Sequence, residues 1–211
     1  MFNHKLICPL IALILWFTSL NGQGKKPLSH LQLMNGKLLE VSLGDTSGAN
    51  VFYSIQKKNG KWLDKSLYKD RIFSIINENG EESVLYSTNL LIGDDYSVQE
   101  MRYFIYGESD ATNGYNAKPT FYGGLAIGAA GGYGFQGGII YPFMIPLGYT
   151  LTMQIPFIKI RQETITDHQN TYHETYKIGY EKTARTRKTI NALLGSLLGA
   201  AIGSSLYEIT H

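Results

Sequence analysis

Asp167, His168, His173 and Glu174 place two imidazoles and two carboxylates within eight residues. Imidazole nitrogens and carboxylate oxygens are both ligands for a zinc-type ion, so His168, His173 and Glu174 form the candidate metal set. Histidines five apart do not share a helix face, which needs a spacing of three or four. A loop would have to converge them, and the plainer reading is a solvated stretch beside a membrane segment. Gly132-Tyr133-Gly134-Phe135-Gln136-Gly137 spells GxGxxG. A dinucleotide site built on that pattern needs a strand before it, a helix after it and an acidic residue about 20 positions on. No acidic residue occurs until Glu163, and the surroundings are saturated with glycine. Asp64, Lys65, Lys69, Asp70 and Arg71 read as a solvated charged turn, and nothing in sequence converges on the pair Glu108 and Asp110. No nucleophile elbow or phosphate loop appears. These patterns point to a protein that is not an enzyme and carries no cofactor.

The bulk properties narrow the class further. The chain has 211 residues, a formal charge of +2 and only 17% charged residues, against about 25% in a typical soluble domain. That charge implies no nucleic-acid partner, and no small-molecule ligand is inferred. The 23 glycines are concentrated in the second half. The single cysteine, Cys8, lies in an N-terminal segment with the three-part layout of a secretory signal: a short basic start, an apolar stretch over 6–20 and a small polar exit at Asn21-Gly22-Gln23-Gly24. Residues 1–23 are therefore expected to be a signal peptide cleaved near Gly22 or Gly24, the alternative being a retained anchor. The mature chain would then hold no thiol.

Residues 27–95 read as a small β domain. Asn35-Gly36, Asn59-Gly60 and Asn79-Gly80 are hairpin signals that favour type I′ turns, and strand-like runs flank each. Leu39, Val41 and Leu43 alternate with Glu40 and Ser42, as do Val51, Tyr53 and Ile55 with their neighbours. Five or six short strands suggest a meander closed into an SH3-like barrel. Ser97-x-x-Glu100 is a capping box that opens a linking helix within 97–115, expected from Val98 to about Glu108 or Thr112.

Two runs then carry no formal charge: residues 119–158 and 189–207. Each is long enough to cross a bilayer, which takes about 20 apolar residues. Gly124, Gly128 and Gly132 sit four apart, as do Gly195, Gly199 and Gly203. Each triplet lines one helix face, and a face without Cβ atoms lets another backbone approach closely. That matters in lipid, where apolar side chains gain little from pairing with one another. The two stripes are expected to pack together or against another copy. The first run should form a helix near 122–141, followed by a broken or extended piece over 143–158. Residues 159–188 form a charged loop or helix whose Lys182, Arg185, Arg187 and Lys188 flank the last apolar helix. The bias of basic residues toward the cytoplasmic side suggests one outward-to-inward crossing in the first run and a return in the second.

Arg71-Ile-Phe-Ser-Ile75, the 101–111 helix ending Gly-Glu-Ser-Asp-Ala111, Tyr176-Lys-Ile-Gly-Tyr180 and Ala184-Arg-Thr-Arg-Lys188 give the chain a layout that resembles a diffuse group of uncharacterised exported proteins of Gram-negative bacteria. The resemblance implies export and this architecture, with no activity attached. The expectation is thus an α+β protein of the cell envelope: a small β domain, a linking helix and a glycine-zipper helical base associated with a membrane. Its partners would be the membrane and either further copies of itself or another envelope protein. The alternatives are a soluble secreted binding module with a packed glycine-rich hairpin, and a membrane-active, pore-like oligomer.

Overall fold

The computed structural model describes residues 28–91, 93, 95–134, 141–155, 160 and 170–211. The signal segment, His168 and the second half of the GxGxxG pattern lie outside the described residues. Six strands come first: β1 (Ser29–Leu33), β2 (Leu38–Leu43), β3 (Asn50–Gln56), β4 (Trp62–Tyr68), β5 (Ile72–Ile76) and β6 (Glu82–Val84). Four α-helices follow: α1 (Val98–Gly114), α2 (Lys118–Gly134), α3 (Tyr141–Thr152) and α4 (Glu174–Thr210).

The three Asn-Gly pairs close the hairpins β1–β2, β3–β4 and β5–β6, but not as type I′ turns. Gly36, Gly60 and Gly80 have φ of 78°, 78° and 80°, and among the described residues none but glycine has positive φ; a type I′ turn needs it at both central positions. Instead Gly36 N–H donates to the Leu33 carbonyl at 3.1 Å while Leu33 N–H donates to Lys37 at 2.9 Å. The same pattern recurs at Lys57–Gly60–Lys61 and Asn77–Gly80–Glu81. Each is a four-residue turn whose closing glycine is left-handed, the three-residue hairpin loop with a glycine bulge. Asn35 and Asn59 brace the first two by accepting the N–H of Lys37 and Lys61.

The sheet is antiparallel in the order β4-β3-β2-β1-β5-β6. β4 and β6 are its unpaired edges, so it is an open sheet and not the SH3-like barrel expected. Closure would need those edges to meet. β6 has only three residues, and its Glu82 is held by α1 through Arg102 at 2.8 Å. One face encloses Leu31, Val41, Val51, Tyr53, Ile72 and Ile75. The other packs Phe73 and Tyr86 on Met101, Phe104 and Ile105 of α1. A bulge makes this division: Gln32 pairs with Ser74 but Leu33 pairs with Ile72, leaving Phe73 as the extra residue. The strand's alternation slips there, so Ile72 and Ile75 share one core while Phe73 turns to the helix.

The capping box at Ser97 and Glu100 forms with both reciprocal bonds, and α1 then runs on to Gly114, past the end expected. After the break at 115–117, Asn116 accepts the Lys118 N–H at 3.1 Å and α2 begins. The expected helix over 122–141 is thus placed earlier, and Tyr141 opens a separate helix. α4 spans 37 residues, about 55 Å at 1.5 Å each. It absorbs residues 174–188 of the charged stretch and the last apolar run into one rod. Its first half packs on α1 and its second on α2 and α3.

Both α1 and α2 run parallel to α4. Gly107 meets Tyr176 and Tyr180, Gly124 meets Ala192, and Gly132 meets Ala200, with both numberings rising together. An outward crossing and a direct return would have set α2 and α4 antiparallel. α3 supplies the reversal: Gly131 faces Ile145 while Gly123 faces Tyr149, so α3 runs back along α2, antiparallel to it.

Candidate functional site

The glycine spine between α2 and α4 is the most specific arrangement in the helical part. All six glycines of the two stripes are buried. A Cβ built on any of them would come within 3.0 Å of facing backbone: at Gly124 the Ala192 carbonyl, at Gly128 Ser196, at Gly132 Ala200, at Gly195 Phe121, at Gly199 Leu125 and at Gly203 Ala129. The glycines alternate between the two helices, so each Cα–H faces a carbonyl of the other. Such Cα–H···O contacts contribute about 0.5–1 kcal/mol apiece and require that no side chain intervene. The stripes therefore pack on each other within one chain.

What lies outside this spine inverts the usual order of a protein interior. Leu194, Leu198 and Ile202 on α4 are about half exposed, and Leu147 and Leu151 on α3 more so. Only 33% of the apolar stretch of α4 is buried, and this helix is long and apolar enough to cross a membrane. Small residues fill the inside and large apolar residues cover the outside. The layer ends in polar groups. Lys188 stands at the near end, where desolvation and then the like charge of Arg185 push its ammonium below the ordinary lysine range. At the far end Tyr133 meets the edge of Tyr207 at 5.8 Å, and Tyr207 stacks on His211 at 4.4 Å.

The junction between the sheet-bearing half and the apolar half is held by side chains between α1 and α4. Buried Glu108 pairs with Lys182 at 3.0 Å, whose ammonium also lies 4.9 Å from the Phe104 ring centre. Asp110 accepts the Tyr176 hydroxyl at 2.6 Å. Arg187 donates to the Ala111 and Thr112 carbonyls in the last turn of α1, where carbonyls run out of helical donors; Ala111 also accepts the Tyr115 N–H at 3.2 Å. Arg185 donates to the Ile155 carbonyl at 2.9 Å and lies 3.7 Å from Glu181. Three of the four residues expected to flank the membrane thus brace the fold. Gly107 and Gly179 extend the close approach into this half: a Cβ on either meets the backbone of Tyr176 or Phe104. Sequence reading missed both, because a lone glycine in a helix signals only a local cost of about 1 kcal/mol.

The other candidates are not brought together among the described residues. His173 stacks on Tyr103 at 3.6 Å, and with Glu174 it lines an open cleft of about 640 Å³ beside Ser97 and Glu100. Among the described residues no three His, Cys, Asp or Glu side chains gather around a common point. Gly132 of the GxGxxG pattern is consumed by the spine, and Asp64 accepts the Ser54 hydroxyl on the β4 edge. No protein-family model, curated protein or solved structure matches the chain.

Proposed function

We propose that this is a cell-envelope structural or interaction protein, exported and held in a membrane by its glycine-packed helices, which presents the open sheet from that base. The reading assigns it no catalysis. The observation that carries it is the inside-out packing of α2, α3 and α4. In water, exposing a row of leucines and isoleucines while burying glycine would forgo about 1.5–3 kcal/mol for each large side chain left unburied. In lipid the same arrangement is favourable, because the tails solvate the large side chains and association rests on close backbone packing. The spacing agrees: residues 189–207 between Lys188 and Glu208 span about 28 Å as helix, against a hydrocarbon core of about 30 Å. The rod α4 then couples membrane and sheet, since its first half grips α1 and α1 carries the sheet on Phe104 and Ile105.

Carbonate extraction of cell envelopes tests the reading. The expected result is retention of the full chain in the membrane pellet. Release into the supernatant would overturn it and leave a soluble module with a glycine-rich core.

A further inference from the structure

We infer that the helical base crosses its bilayer three times, so that the sheet and the basic half of α4 lie on one side and the C-terminus lies on the other. This rests on the membrane reading above and adds to it the path of the chain. The first observation is direction. Two helices that cross the same bilayer in parallel must be joined by a segment that recrosses it. α2 and α4 are parallel, as the reciprocal pairs Gly124 with Ala192 and Gly203 with Ala129 require.

The second observation is where the intervening chain goes. α3 runs back along α2, with Gly131 on Ile145 at the far end and the Tyr149 hydroxyl donating to the Thr120 carbonyl at 3.2 Å toward the near end. By Ile155 the chain has returned to the junction, where its carbonyl takes the Arg185 hydrogen bond. Ile160 then lies among Ala111, Tyr176, Tyr180 and Ala184, beside α1. The third observation is length. The uncharged stretch 119–158 holds 40 residues, enough chain for two crossings of about 20 each; α2 supplies 17 of helix and α3 12, and 189–207 forms the third crossing. The polar residues sort accordingly: Lys118, Lys182, Arg185, Arg187 and Lys188 fall at the sheet's end of the layer, while the far end carries Tyr133, Tyr207, Glu208 and His211. A single crossing of the first run, with 159–188 beyond the bilayer from the sheet, is incompatible with this path.

The test counts labels per molecule. In a Cys8→Ser background the chain has no thiol, so two cysteines can be introduced at exposed positions and reconstituted in sealed liposomes. A membrane-impermeant maleimide is added, and intact-protein mass spectrometry reads the labels on each molecule, which makes the result independent of insertion direction. With Lys58→Cys and His211→Cys, the expected result is one label on every molecule. With Lys58→Cys and Lys177→Cys it is zero or two. Zero or two labels on the Lys58/His211 pair would overturn the three-crossing path while leaving the protein in the membrane. Two labels on all molecules of both pairs, with elution from the liposomes in carbonate, would overturn the membrane reading itself.

Discussion

Replacing Gly199 by alanine separates close backbone packing from ordinary helix propensity. In an exposed helix the change would stabilise by about 1 kcal/mol. Here the added carbon would lie 2.8 Å from the Ala129 nitrogen and on the Leu125 carbonyl. Ordinary van der Waals contact begins at 3.4 Å, and the obstruction is backbone on both sides, so no side chain can swing away. The Ala129 contact alone requires the helices to part by about 0.6 Å, and the nearer Leu125 carbonyl requires more. A gap of that size forfeits a quarter to a half of the dispersion attraction and weakens the neighbouring Cα–H···O contacts, each about 0.5–1 kcal/mol. Overpacking of this kind costs about 1–3 kcal/mol; set against the propensity gain of about 1 kcal/mol, this leaves a net loss of up to about 2 kcal/mol. Gly148 on α3 is the control, because nothing lies within 4 Å of its Cβ position; alanine there should be neutral or stabilising. Thermal unfolding in detergent micelles, followed by circular dichroism, compares the two. Equal midpoints for Gly199→Ala and Gly148→Ala would refute the argument that the spine is held by backbone proximity.

Three further expectations follow from the same geometry. Leu198→Arg should reduce the membrane-bound fraction, since arginine at the middle of a spanning helix costs about 2.5–3.5 kcal/mol; on a water-facing surface it would change stability by less than about 0.5 kcal/mol, and unaltered membrane retention would count against the lipid-facing assignment. Lys182→Met should destabilise by leaving the Glu108 carboxylate buried without its cation, and adding Glu108→Gln should recover most of the loss in a double-mutant cycle. Burial opposes the charge of Glu82, but the Ser74 hydroxyl and Arg102 outweigh it and hold its carboxyl below the ordinary value of 4.5. A depressed folded-state value means the contact stabilises fully above pH 4.5 and fades as pH falls through the lower folded value, so the wild type should lose more of its melting temperature on acidification than Glu82→Gln.

The sequence was most readable where local chemistry decides the structure. Ser97 and Glu100 announced α1 because a capping box needs only four residues to form. Asn-Gly located three of the hairpins, yet the turn type followed strand register, which a dipeptide does not encode. The open sheet was illegible for a related reason: closure depends on whether β4 and β6 meet, and β6 is held by Arg102 of α1, 20 positions along the chain. The glycine stripes at 124–132 and 195–203 were legible as faces because their spacing is helical. Their parallel direction was not, since two stripes fit each other in either sense and the choice is made by α3. Arg187 read as a flank of the last apolar helix, but its guanidinium reaches the end of α1 across 76 positions. Of the Asp167-to-Glu174 cluster, His173 and Glu174 fall among the described residues, where they line an open cleft and no third ligand joins them.

The central claim is that the outer face of the glycine-packed layer touches lipid, and a spin label can read that directly. A nitroxide on Leu198→Cys in the Cys8→Ser background, reconstituted in liposomes, is exposed in turn to oxygen, which concentrates in the bilayer, and to a polar nickel chelate, which stays in water. A lipid-facing Leu198 should show strong relaxation by oxygen and protection from the chelate, with the reverse at Lys58 on the sheet. Ready access of the chelate to Leu198 would contradict it and make the layer a water-exposed surface.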